Sequence, residues 1–465
     1  MNPAYLEMCR TDVERAVGEA RAASALDRAS RARLERLQQQ RLDALVRHAV
    51  ARSPLYRERL GGLVGPGPVD LQTLPTLDKA TLVARFDDSV CDPRLRHDDL
   101  LEHLDGLDHD ALYLDEFRVL ATSGSSGRKG LFVYDRAGWT TYITQFLRFV
   151  AATGHPPWRD RGIRVAGVIG GSPTHASARV SAPIMAAGLM ELFPLPVTLP
   201  MPRIVEALNG FRPEVLHAYG SMAALLAEER LAGRLRVAPR IVSSSSELLT
   251  AEMAARVEAA FGTRPYDFYA TTEGLWGAPC AAREGAHLFE DLVIVENVDT
   301  DDRPVAPGEP GARLLITNLF NFVQPLIRYE LPDVVALHPE PCGCGSPLRR
   351  LRSIEGRADD VVRLPGRDGA DVAVHPVQFG LVTADRAVRE FQVVQRGERL
   401  RLRVVLFDDA HVAAADRLRA ALAARLAGLG VADPQIDVEP VARLERAPGG
   451  KLPMVVAERA AVAVG

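Results

Sequence analysis

IRVAGVIGG at residues 163–171, EVLHAYG at 214–220 and RIVSSSS at 240–246 are three short apolar runs. Between them lie PRIVEALNGF (202–211) and MAALLAEERLAG (222–233), whose apolar residues recur at helical spacing. A further helix is expected from Thr250, an N-cap residue, to Gly262, a C-terminal stop. Short apolar strands alternating with helices predict a mostly parallel sheet covered by helices.

Upstream, FRVLAT (117–122) and LFVY (131–134) read as strands flanking a glycine loop. The helix that follows is capped by Asp135 and carries Tyr142, Ile143, Phe146, Leu147 and Val150 on one stripe. Residues 1–60 read as polar helices, with Leu42, Leu45, Val46 and Ala49 forming the buried stripe of one. Beyond Leu288 the chain turns strand-rich: LVIVENV (292–298), the Pro/Gly turns of 301–311, then ARLLITNL (312–319). The last hundred residues read as a strand hairpin (391–407), a helix ended by glycine (411–430) and a strand (435–444). The expected fold is α/β: a large N-terminal body over 1–358 with a strand-rich portion, and a small α/β domain over 359–465.

Hydrophobic residues make up 47% of the 465 and charged residues 25%, as in a globular protein able to bury a large core. With 56 basic against 60 acidic residues the net charge is −4, which gives no reason to expect nucleic acid or an anionic membrane as partner. No secretory signal opens the chain, no apolar run reaches membrane-spanning length, and five cysteines suit a reducing cytoplasm. Only three of the basic residues are lysines: Lys79, Lys129 and Lys451.

Four segments carry candidate chemistry. TSGSSGRKG (122–130) follows a strand, and its glycines and hydroxyls suit phosphate oxygens, although it lacks the glycine spacing of a Walker loop. YDFYATTEG (266–274) offers an aromatic face, a hydroxyl and a carboxylate for a hard cation. RYELPD (328–333) and IEGRADD (354–360) set Arg and Asp side chains at expected loop positions, and PGGKLP (448–453) holds Lys451 in a Gly/Pro loop. Taken singly, each is equally well a turn, a strand end or a surface ion pair.

Taken in order, the four resemble the adenylate-forming enzymes, and specifically their phenylacetate–CoA ligase-like branch. ARSPLYRERL (51–60), LPTLDKATL (74–82), SSSSELL (243–249) and CGCG (342–345) extend the resemblance over most of the chain. It implies ATP-dependent activation of a carboxylic acid, aryl or hydrophobic acyl, to an acyl-adenylate, followed by transfer to coenzyme A with release of AMP. An amine or a carrier-protein thiol is the alternative acceptor, and a non-catalytic nucleotide-binding protein the third reading. The resemblance makes Ser123, Gly124, Ser125, Ser126 and Gly127 the β/γ-phosphate loop, with Lys129 one residue off the family's usual lysine. It makes Ser245, Ser246 and Glu247 the adenine-side segment, Tyr269 the adenine-stacking aromatic, Thr272 the α-phosphate contact and Glu273 the Mg²⁺ ligand. Asp333 is implied to bind the ribose with Arg357 beside it. Asp359 matches the hinge of a mobile C-terminal domain, and Lys451 the lysine bridging carboxylate and α-phosphate.

Cys280, His287, Cys342 and Cys344 form a candidate tetrahedral Zn²⁺ set, against the alternative of reduced cysteines behaving as small hydrophobes. Trp139, Tyr142, Phe146, Tyr219 and Trp276 are available to line an apolar pocket, with core packing expected of most. Expected partners are a small carboxylic acid and coenzyme A; self-association into a homodimer stays open.

Overall fold

The computed structural model describes residues 3–23, 26, 29–107, 109–122, 130–159, 162–170, 173–280, 282–407, 411–447 and 450–457. Its centre is a five-stranded, all-parallel sheet. The strands run in the order Met190–Pro196, Ile163–Ile169, Val215–Tyr219, Ile241–Ser245, Tyr266–Phe268. The three quoted runs are thus its middle strands. The edge strand and the helix Ala176–Ala186 come from the apolar stretch around Val180–Pro200, where the sequence pattern assigned neither. Pro194 and Pro196 fit that edge, because an edge strand needs no donor on its outer side.

Local signals act where the sequence put them. Asp135 accepts the Gly138 N–H at 2.7 Å and starts the helix Arg136–Ala152. Thr250 caps the helix Ala251–Phe261, and Gly262 ends it in the left-handed region at φ 71°. Ile143 and Leu147 on the first of these helices are fully buried in the main core, where truncation to alanine costs about 2–5 kcal/mol.

Arg118–Ala121 pairs antiparallel with Leu131–Tyr134, so the Ser/Gly loop joins two adjacent strands. Two antiparallel sheets follow. One is Val293–Val298, Arg313–Asn318 and Tyr329–Leu331; the other runs Asp333–Leu337, Arg350–Arg357, Ala286–Leu288, Gly277–Pro279. The RYELPD and IEGR segments are therefore largely strand rather than loop, since Asp333 and Arg357 are register partners across a strand pair.

From Val362 to Val455 the residues gather around a core of their own, formed by a four-stranded sheet and the helix His411–Gly428. Between this core and the body lies the short turn Ala358–Asp360. Among the described residues no helix is long and apolar enough to cross a membrane.

Candidate active site

A cavity of about 1950 Å³ opens at the C-terminal ends of the central strands, where ligands of parallel sheets bind. Thr272 and Glu273 line it on the loop that follows Tyr266–Phe268. Three side chains hold that loop by its carbonyls: Tyr142 Oη donates to Thr271 at 2.9 Å, Tyr134 Oη to Thr272 at 2.7 Å and Asn318 Nδ2 to Glu273 at 2.8 Å. Gly274 completes the turn at φ 101°, and a Cβ there would lie 2.6 Å from Asn318 Nδ2. Only glycine fits such a position.

Tyr269 is buried and donates from its hydroxyl to Asp333 Oδ2 at 3.4 Å. Arg357 Nε lies 3.8 Å from Asp333 Oδ1. Burial raises the Asp333 carboxyl above its ordinary value, opposed by Arg357. Glu273 is raised too, by burial first and by the neighbouring Asp333 charge. Two acidic groups against one cavity favour a cation between them and the solvent.

Lys451 reaches the cavity from the C-terminal region. Its pKa falls to about 8, mainly through burial and secondarily through Arg357, with Glu247 and Asp333 opposing. The preceding Gly450 lies so close to the body that a Cβ would stand 2.2 Å from Val197 Cγ1. Glu247 accepts the Leu452 N–H at 2.7 Å through Oε1 and the Ser221 N–H at 3.0 Å through Oε2. One carboxylate therefore ties the Lys451 loop to the end of the central sheet.

Ser246 lines the cavity, exposed and left-handed at φ 66°. Ser245 hydrogen-bonds with His217 Nε2 at 3.0 Å. Asp359 lies exposed on the turn at the cavity edge, and Ala358 N–H is bonded to Pro332 C=O at 2.7 Å, beside Asp333. Ser123, Gly124, Ser125, Ser126, Gly127 and Lys129 lie outside the described residues. The base of their loop is described: Thr122 N–H bonds Gly130 C=O at 3.0 Å, and Gly130 N–H bonds Thr122 Oγ1 at 3.1 Å. Tyr142, Phe146, Tyr219 and Trp276 line the cavity, whereas Trp139 lies in the core, stacked on Tyr142 at 5.0 Å.

The sequence pattern missed two histidines on the cavity wall. His175 has its pKa lowered by burial and by the Lys451 charge, and His217 stands between two serines. Nothing in their spacing marks them, because each is a single polar residue among apolar or small neighbours.

Away from the cavity, the ligand atoms of Cys280, His287, Cys342 and Cys344 all lie within 4.8 Å of one another. Cys280 and Cys342 Sγ are 3.4 Å apart, and Cys344 Sγ lies 3.3 Å from His287 Nε2. Such spacings are close to the edge of a zinc–thiolate tetrahedron, about 3.8 Å for 2.3 Å bonds, and far beyond a disulfide. His287 Nδ1 faces the Leu348 carbonyl at 2.8 Å, which holds the proton on Nδ1 and frees Nε2 as a ligand.

No family model matches the chain. It is 29% identical to the phenylacetate–coenzyme A ligase of Thermus thermophilus over 395 residues, 80% of either chain. It is 28% identical to that of Escherichia coli over 363 residues, covering 73% of this chain and 75% of the other. Among solved structures, 2-hydroxyisobutyryl-CoA ligase in the postadenylation state superposes with a TM-score of 0.70 at 21% identity, covering 91% of this chain and 89% of that one. The same ligase in its thioesterification state gives 0.59 at 20% identity, over 93% and 91% of the two chains. Sequence likeness running through most of both chains, on a shared fold, makes this protein similar to phenylacetate–coenzyme A ligases, with the fold of acyl-CoA ligases that form adenylates.

Proposed function

We propose that the protein activates a carboxylic acid with ATP and passes the acyl group to coenzyme A. In the first step a carboxylate oxygen bonds to the α-phosphorus and pyrophosphate leaves. In the second the coenzyme A sulfur attacks the acyl carbon, giving a thioester and AMP. The observation that carries this reading is the convergence of Lys451, Glu273, Asp333 and Tyr269 on one cavity, with the Lys451 loop drawn in by Glu247.

Each residue has a physical task there. Asp333, positioned by the Tyr269 hydroxyl and Arg357, is suited to accept the ribose hydroxyls. Thr272 can donate to an α-phosphate oxygen from a loop whose backbone is fixed. The Lys451 ammonium, a slim point charge, lies between carboxylate and phosphate and offsets their repulsion. Glu273 would hold Mg²⁺, which when bound supplies positive charge against the phosphates.

We also propose that residues 359–465 act as a lid turning about Asp359 between the two steps. An exposed turn between two separate cores supports that hinge. Zn²⁺ on Cys280, His287, Cys342 and Cys344 is read as structural, because four protein ligands leave no open position. Free cysteines and this metal set suit a reducing cytoplasm.

ATP–pyrophosphate exchange with a panel of carboxylic acids, followed by acid-dependent AMP release on adding coenzyme A, tests the proposal. Exchange without thioester formation would move the acceptor to an amine or a carrier thiol. No exchange with any acid would end the reading.

A further inference from the structure

Deep in the cavity the central sheet turns one polar row toward its contents. His217 lies between Ser243 and Ser245 on the neighbouring strand, with Nδ1 at 2.9 Å from Ser243 Oγ and Nε2 at 3.0 Å from Ser245 Oγ. All three line the cavity. On its other side His217 is registered with Gly167, which covers nothing: a Cβ there would meet only Ile169, at 3.9 Å. Beside the row, on the next strand, Phe268 is in register with Ser245 and 6.0 Å from the His217 ring, and it packs on Phe149 at 4.1 Å and Trp276 at 4.9 Å.

A neutral imidazole has one N–H and one lone pair, so one serine must donate to the ring and the other must accept from it. Whichever tautomer holds, the accepting serine keeps its own O–H to give, and the donating serine keeps lone pairs. The row therefore presents, on the two sides of the ring, one serine with an O–H left to give and another with lone pairs left to accept. Burial alone lowers the His217 pKa, to about 4, so the ring stays uncharged. An uncharged donor–acceptor pair in an apolar pocket matches a neutral hydroxyl and does not match a carboxylate or an ammonium.

Depth fixes which part of the acid would meet it. Glu247, which holds the Lys451 loop, lies just past the end of the same strand as the serines. Ser243 is two residues further in than Ser245, about 7 Å at strand spacing. The row thus runs inward from the reacting end along the wall that would face the acyl group.

We propose that His217, Ser243 and Ser245 form a specificity site for a hydroxyl group, so that the acid is an aryl acid hydroxylated away from its carboxylate. This rests on the adenylation reading above.

The test is ATP–pyrophosphate exchange with benzoate, phenylacetate and phenylpropionate, each with and without a ring hydroxyl at the ortho, meta or para position. At least one hydroxylated acid should exceed its parent by about tenfold or more in kcat/KM, the effect of one well-placed hydrogen bond. Ser243→Ala should remove that preference while leaving the parent acid within about twofold of wild type. His217→Leu should do the same, and thermal melting of both variants checks that they fold. If every parent acid outperforms its hydroxylated partners, or if folded Ser243→Ala loses both equally, the site does not read a hydroxyl. If no acid supports exchange, the adenylation reading itself falls and takes this inference with it.

Discussion

Glu247 bonds the backbone N–H of Ser221 through one oxygen and that of Leu452 through the other. The two donors belong to the first turn of the helix Gly220–Leu231 and to the Lys451 loop, so a single side chain spans the joint between the body and the proposed lid. Charge-assisted bonds of this kind contribute about 1.5–3 kcal/mol each. Glu247→Gln should therefore lower pyrophosphate exchange about ten- to hundredfold while thioester formation from supplied acyl-adenylate changes little. Equal loss in both half-reactions would mean that Glu247 serves the nucleotide and not the closed lid.

Lys451→Ala should abolish exchange and spare the second half-reaction, because a lid lysine serves only the arrangement that brings it to the carboxylate. Exchange at the wild-type rate would remove Lys451 from the site.

The same lysine sets a pH dependence. Its pKa is lowered from 10.5 to about 8, so the folded free enzyme loses the ammonium as pH rises through 8. kcat/KM for exchange should fall above that pH, since this constant reports the free enzyme. Stability runs the other way: the unfolded chain binds the proton more tightly, so the penalty is full below pH 8 and fades toward 10.5. Lys451→Met should accordingly melt higher than wild type at pH 7, with the gain shrinking at pH 10.

Glu273→Gln should raise the Mg²⁺ concentration needed for half-maximal exchange and lower kcat by about tenfold or more, because one anionic ligand is lost. An unchanged Mg²⁺ titration would take Glu273 out of the cation's shell.

Protein purified without chelator should hold about one zinc per chain. Cys342→Ser should lower the melting temperature first and activity only secondarily, since a lost thiolate costs folding free energy. Metal analysis and melting curves decide this, and a metal-free, fully active enzyme would dissolve the site into four unrelated residues.

The central strands and their helices were legible because capping and periodicity are local signals: Asp135, Thr250 and Gly262 act where they stand in the sequence. The edge strand Met190–Pro196 was not, because prolines tolerated at an edge read as loop. Asp333 and Arg357 looked like loop residues because short strands give little pattern; they are paired by register across residues far apart in sequence. The four candidate zinc ligands came from residue type and spacing, and the structure adds the Leu348 carbonyl beside His287 Nδ1. His217 was out of reach, since its meaning depends on two serines that only sheet pairing sets beside it.

The scarcity of lysine has a practical side. Only three of the 465 residues are lysines, and burial lowers the pKa of one of them, Lys451, to about 8. Because burial is the main cause, leaving the pocket would return the amine toward its ordinary pKa, so its labelling by an amine-directed reagent should change in both access and pH profile if the proposed lid opens. A side chain whose proton affinity depends on its burial thus offers a chemical reporter for the proposed lid movement.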